Sequence, residues 1–222
     1  LPTMNVLTSA RIAVLLPLIT AMSVVAADWP QWRGPDRSDI QKETGLLKQW
    51  PAGGPKRVWL FKDGGKGYSG FSIVAGKLFT MGTRDEGELL LCLDANTGKE
   101  VWKAPIGKVY ENKWGDGPRG TPTVDGDRVY ALGAQGVLIC AQAKDGKLPW
   151  QTSMKDLGGK TPGWGYCESP LVDGKQVLVT PGGEKGTVAA LDKMTGKVLW
   201  QSKDITEGAQ YSSIVPATIN GQ

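Results

Sequence analysis

One internal repeat constrains this chain more than any other feature. Residues 92–102 read CLDANTGKEVW, residues 140–150 read CAQAKDGKLPW, and residues 190–200 read ALDKMTGKVLW. Their glycines Gly98, Gly146 and Gly196 and their tryptophans Trp102, Trp150 and Trp200 recur in steps of 48 and 50 residues. A second series keeps the same register: Gly76, Gly126 and Gly174 each end a short run (FSIVAG, TPTVDG, SPLVDG) and open another (KLFTMG, DRVYALG, KQVLVT). A third run, LLLCL, VLICA or TVAAL, precedes each Gly-Lys turn. Each period therefore holds four short strands. A four-strand unit recurring every 40 to 50 residues or so cannot cover its own faces and is stable when stacked radially, which is the logic of a β-propeller blade. Runs such as LLLCL are apolar at every position, as expected of a strand covered on both sides.

The turn chemistry agrees. Asp125-Gly126, Asp145-Gly146 and Asn220-Gly221 are hairpin dipeptides whose glycine tolerates positive φ, and Thr-Gly-Lys at 97–99 and 195–197 serves between the last two strands. The tryptophan four residues beyond each of Gly98, Gly146 and Gly196 then falls on the outermost strand, where it packs between blades as a structural docking residue. Blades are expected over about 68–105, 118–154 and 166–204, with the start of another at 211–222. Residues 56–63, KRVWLFKD, resemble an outermost strand yet precede the first blade, as expected of a segment that closes the ring by completing the last one.

The pattern A-x-D-x-x-x-G-K-x-x-W, held by Ala190, Asp192, Gly196, Lys197 and Trp200, resembles the tryptophan-docking repeat of the pyrroloquinoline quinone (PQQ)-type propeller family. Cys92 departs from it at the Ala position, and Cys140 and Gln142 depart at the Ala and Asp positions. The segments DWPQWRGPDRSDI and GLLKQWPAGGPKRVW resemble the N-terminus of secreted members of that family. The resemblance implies an all-β fold of four-stranded blades, eight in the full ring, of which residues 56–222 hold three and the start of a fourth. The sequence is thus expected to be an N-terminal fragment, with residues 28–55 an extended lead-in.

Residues 1–27 read as a secretory signal peptide: Arg11, then an apolar run from Ile12 to Val25, then a small-residue cleavage point after Ala27. At about 14 residues the run is shorter than the roughly 20 that span a bilayer, so no stable membrane anchor is expected, and the mature protein is placed in the periplasm or outside the cell. The mature part keeps 25 basic and 22 acidic residues, interspersed, which lacks the basic patch of a nucleic-acid binder. The chain has no His, which removes Ser-His-Asp hydrolysis, imidazole metal sites and His-ligated haem from these residues. Cys92, Cys140 and Cys167 form no C-x-x-C or adjacent pair.

Function is expected at the propeller mouth, where loops enter the first strand of each blade. Those loops carry Tyr68, Trp114, Arg119, Trp164, Tyr166, Glu168 and Tyr211. Either they bind a ligand by stacking and charge-assisted hydrogen bonds, or the aromatics cap the blades and Arg119 pairs with Glu168. No catalytic or metal-binding residue is assigned. Two functions stay open: a non-catalytic binding or scaffold module of the cell envelope, with an envelope protein or small molecule as partner, or a PQQ-dependent dehydrogenase with its catalytic groups in the missing blades. For the second, the resemblance implies PQQ with Ca²⁺, but the adjacent Cys-Cys pair of the alcohol dehydrogenases is missing and no catalytic Asp is matched.

Overall fold

In the computed structural model the chain is described over residues 27–85 and 87–220; the leader expected at 1–27 lies outside them except for its last residue. Three four-stranded antiparallel sheets follow one another. Strands β1 (Phe71–Val74), β2 (Lys77–Arg84), β3 (Gly87–Asp94) and β4 (Glu100–Lys108) form the first, in sequential order. The second holds β5 (Thr123–Asp125), β6 (Arg128–Leu132), β7 (Val137–Gln142) and β8 (Trp150–Ser153), and the third β9 (Leu171–Asp173), β10 (Gln176–Val179), β11 (Ala189–Asp192) and β12 (Val198–Gln201). The described residues contain no helix, so none is long and apolar enough to cross a membrane. The fold is an all-β propeller array.

Strand register explains the repeat. In the first sheet Phe79, Cys92 and Trp102 sit side by side across β2, β3 and β4; in the second Tyr130, Cys140 and Trp150 do; in the third Leu178, Ala190 and Trp200 do. The middle residue must be small because large side chains flank it, with the Phe79 and Trp102 rings 5.8 Å apart and those of Tyr130 and Trp150 6.0 Å apart. That is why Cys substitutes for Ala there. Cys92 and Cys140 are buried and free, and burial pushes the Cys92 thiol up to about 11.

Each tryptophan then crosses to the following blade. The Trp102 indole lies against Gly146 and its Nε1–H donates to Ala143 O at 3.2 Å; Trp150 lies against Gly196 and donates to Lys193 O at 3.1 Å. Trp59 does the same to the first blade, against Gly98 and onto Ala95 O at 2.9 Å, although residues 56–63 form no strand among the described residues. A Cβ at Gly98, Gly146 or Gly196 would come within 2.6 Å of the indole, and all three have φ of 69° to 74°. Trp200, on the outer strand of the third blade, is 44% exposed and donates to Gln176 of its own blade. Val198 and Leu199 beside it are exposed as well.

The inner strands β1, β5 and β9 face the axis, and the segment after residue 27 lies along them. It is a run of turns at 31–39, not an extended lead-in, because it fastens successively to three blades. Trp29 exchanges both backbone hydrogen bonds with Ile73 on β1, at 2.7 and 2.9 Å. Pro30 O accepts from Val124 N on β5 at 2.8 Å. Arg37, 2% exposed, donates to Ser169 O and Pro170 O just before β9, and to Ile214 O beyond the third blade. The segment thereby pairs part of the inner edge of β1 and of β5 and reaches the residues just before β9.

Candidate functional site

The seven mouth candidates divide into two exposed groups and two buried residues. Tyr68, Trp114 and Arg119 meet on the loop between the first and second blades. Arg119 sits over the rings of Tyr110, 4.8 Å from the centroid, and Tyr68, at 5.6 Å. Its guanidinium donates to Gly115 O at 2.7 Å and to Gly117 O, folding the loop back on itself. The Tyr68 hydroxyl donates to Trp114 O at 2.7 Å, and Lys66 pairs with Asp116 at 2.9 Å. Trp114 projects outward, 78% exposed, with Lys113 Nζ 5.0 Å from its ring.

Trp164 and Tyr211 form the second group, stacked at 4.6 Å with 16° between their planes. They meet because the segment after the third blade runs beside the loop that enters β9, where Ser169 N donates to the Ser213 hydroxyl at 2.9 Å. Asn112 ties the two groups together, donating from Nδ2 to Gly163 O at 2.7 Å and to the Tyr110 hydroxyl at 3.1 Å. Tyr110 and Asn112 were not singled out from the sequence; their position between Arg119 and the third blade's loop is set by folding alone.

Tyr166 and Glu168 do not reach the mouth surface. Tyr166 is 2% exposed, its ring lies against Gly136 and its hydroxyl donates to Pro181 O at 2.9 Å. Its place is in the hydrophobic core with Met154, Leu157 and Val179. Glu168 is buried, and its Oε2 accepts from Thr180 N at 2.7 Å and from the Thr180 hydroxyl. Arg119 and Glu168 therefore do not pair: Arg119 serves loop carbonyls, and Glu168 offers Oε2 to Thr180 while its Oε1 is buried without a hydrogen-bond partner among the described residues. A second buried carboxylate, Glu88, links blades by accepting from Tyr110 N at 3.1 Å and Ala134 N at 2.8 Å.

Burial pushes the Glu168 carboxyl from the ordinary 4.5 up to about 7, opposed by the Thr180 hydrogen bonds and the charge of Arg37. The folded state then binds the Glu168 proton more tightly than the unfolded state does. Its contribution to stability is complete below about pH 4.5 and is lost as pH rises to about 7. Urea midpoints measured from pH 4.5 to pH 8 should fall for the parent chain relative to Glu168→Gln, with most of the divergence below pH 7; parallel curves would show that Glu168 ionises normally.

The profile of the family described as "Outer membrane protein assembly factor BamB" matches residues 85–222. The chain belongs to that family. Over 116 residues it is 28% identical to "Outer membrane protein assembly factor BamB" of Burkholderia pseudomallei (strain K96243), covering 51% of this chain and 27% of that protein. Over 119 residues it is 30% identical to "Quinohemoprotein alcohol dehydrogenase ADH IIB" of Pseudomonas putida, covering 50% of this chain and 17% of that one. It thus spans about a quarter or less of the length of these relatives. A solved structure titled "Europium-containing methanol dehydrogenase" superposes with a TM-score of 0.50 at 21% identity over 65% of this chain and 26% of that chain, which establishes the shared propeller fold. Relatives of this BamB-family chain therefore include an assembly factor and a dehydrogenase. Among its described residues no three His, Cys, Asp or Glu side chains converge into a cation-binding group, and the three Cys are free.

Proposed function

We propose that this chain is part of an exported PQQ-like β-propeller that acts as a non-catalytic binding or scaffold module of the cell envelope. One observation carries the proposal: Arg119, the Tyr68 hydroxyl and Asn112 are spent on loop carbonyls while the rings of Trp114, Tyr68 and Tyr211 are left exposed, at 78%, 63% and 63%. Exposed rigid aromatics around a buried polar frame suit protein recognition, where Trp and Tyr supply contact area at low entropic cost. The relative named as an outer-membrane assembly factor supports an envelope partner. Residues 56–63 serve, in this proposal, as the outer strand of the ring's last blade, which the docking of Trp59 on Gly98 supports.

The alternative, a PQQ-dependent dehydrogenase whose catalytic groups lie in blades other than these, is supported by the quinohemoprotein relative. Titrating the protein with PQQ and Ca²⁺ while following tryptophan fluorescence separates the two. No saturable response, together with photo-crosslinking to an envelope protein from position 114 that competes with unlabelled protein, is the expected result. Saturable quenching with alcohol-dependent dye reduction would establish the dehydrogenase instead. Trp114→Ala should leave the unfolding free energy from urea titration within about 0.5 kcal/mol of the parent, because the side chain is 78% exposed.

A further inference from the structure

A cleft of about 380 Å³ opens between the turn-rich lead-in and the entry to the first two blades, where Gly70, Phe71 and Thr121 continue the loops that carry Tyr68 and Arg119. Its size falls within the range of small-molecule sites, about 300–1,000 Å³. Trp29, Trp32 and Phe71 provide aromatic walls, and Arg33, Asp39 and Thr121 provide the polar ones.

We propose that this cleft binds a neutral saccharide, held by Arg33 and Asp39 against the aromatic wall. Arg33 Nε donates to Asp39 Oδ2 at 2.5 Å, so the cation and the anion of the lining cancel. That bond leaves Arg33 Nη1 and Nη2 as donors and Asp39 Oδ1 as an acceptor with no partner among the described residues. A sugar hydroxyl is both acceptor and donor, and two vicinal hydroxyls match a guanidinium beside a carboxylate. An anionic ligand gains little where the guanidinium is already neutralised, and a purely apolar one leaves both charged groups unserved. Phe71, 53% exposed, supplies an apolar face for the C–H face of a pyranose, beside Trp32, over which the Arg33 and Arg37 guanidiniums lie at 5.2 and 5.8 Å, and Trp29, which packs on Gly34.

The pair is also preorganised. Arg33 and Asp39 both lie in the left-handed region at φ of 61°, unusual for residues with a side chain, and Asp39 N donates to Arg33 O at 2.9 Å to close the loop. Strained backbone of this kind clusters where geometry serves binding, and a solvated surface ion pair does not require it. The wall is anchored as well, since Trp29 is bonded to β1 through both backbone groups.

The test is isothermal titration of the chain with cellobiose, maltose and N,N′-diacetylchitobiose, with a glucuronate and benzoate as anionic controls. Saturable heat is expected with at least one neutral disaccharide at concentrations up to about 10 mM and none with the anions. Asp39→Asn and Arg33→Gln should each weaken it by about tenfold or more while circular dichroism stays unchanged, because both side chains are partly solvated. Trp114→Ala should leave it intact, which separates this site from the mouth. No heat with any of the three sugars, preference for an anion, or undiminished binding in both pair variants would each overturn the proposal.

Discussion

Trp102→Ala is expected to destabilise the chain by about 3–5 kcal/mol, within the range for removing a buried aromatic. The indole is 9% exposed, it fills the space between Phe79 and the next blade's turn, and its Nε1–H satisfies Ala143 O. Truncation leaves a cavity between two blades, so both the transfer and the cavity contributions apply, and it removes one of two donors to Ala143 O, the other being Lys77 Nζ at 3.0 Å. Gly146→Val should be comparably severe from the other side of the same contact, because its Cβ would overlap the indole and φ there is 74°. Trp200→Ala is the control: the same residue type at the equivalent position, but 44% exposed, should cost this chain far less. Urea midpoints of the three variants measure the difference. Equal losses for Trp102→Ala and Trp200→Ala would mean that inter-blade docking contributes nothing beyond the indole's contacts within its own sheet.

Arg37→Met should cost about 3 kcal/mol or more, because one guanidinium serves the carbonyls of Ser169, Pro170 and Ile214. A methionine of similar length fills the space and leaves Ser169 O and Ile214 O without a donor, while Pro170 O keeps the Thr123 hydroxyl at 2.6 Å. Burial lowers the Arg37 pKa to about 10, so the group remains charged at neutral pH and its hydrogen bonds stay charge-assisted. Arg37→Lys should recover only part of the loss, since an ammonium cannot present the planar fork that reaches several carbonyls at once. Hydrogen exchange locates the effect: amides of 27–31 and 169–171 should lose protection together in Arg37→Met. If protection is lost at 169–171 alone, the lead-in is held by Trp29 and Pro30 without help from Arg37.

The repeat was legible because every position in it answers a local demand. Asp94 and Asp192 accept from the backbone and hydroxyl of the Thr three residues on, which makes the same Asx turn twice; Thr97 and Thr195 correspondingly hold those carboxylates below the usual range. Gly98, Gly146 and Gly196 require positive φ, and Cys92, Cys140 and Ala190 require small volume. The mouth was legible only by composition. Polar and aromatic loop residues mark the end of the array where loops collect, but Tyr166 went to the core because its ring met the gap above Gly136, and Glu168 followed it inward to Thr180.

The lead-in illustrates the remainder. Its Trp and Arg content stood out in the sequence, yet nothing local tells Arg37 that its partners lie 132 to 177 residues away. The sequence by itself determined the four-stranded blade, its turns and the tryptophan that docks each blade on the next, because these rest on φ preferences and spacings internal to one period. Only the tertiary structure decided which loop residues stay exposed, that Arg119 and Glu168 stay apart, and that residues 28–39 fasten to three blades. Those outcomes depend on which backbone carbonyls and apolar gaps remain open once three sheets have stacked, and that competition has no counterpart in the order of residues along the chain.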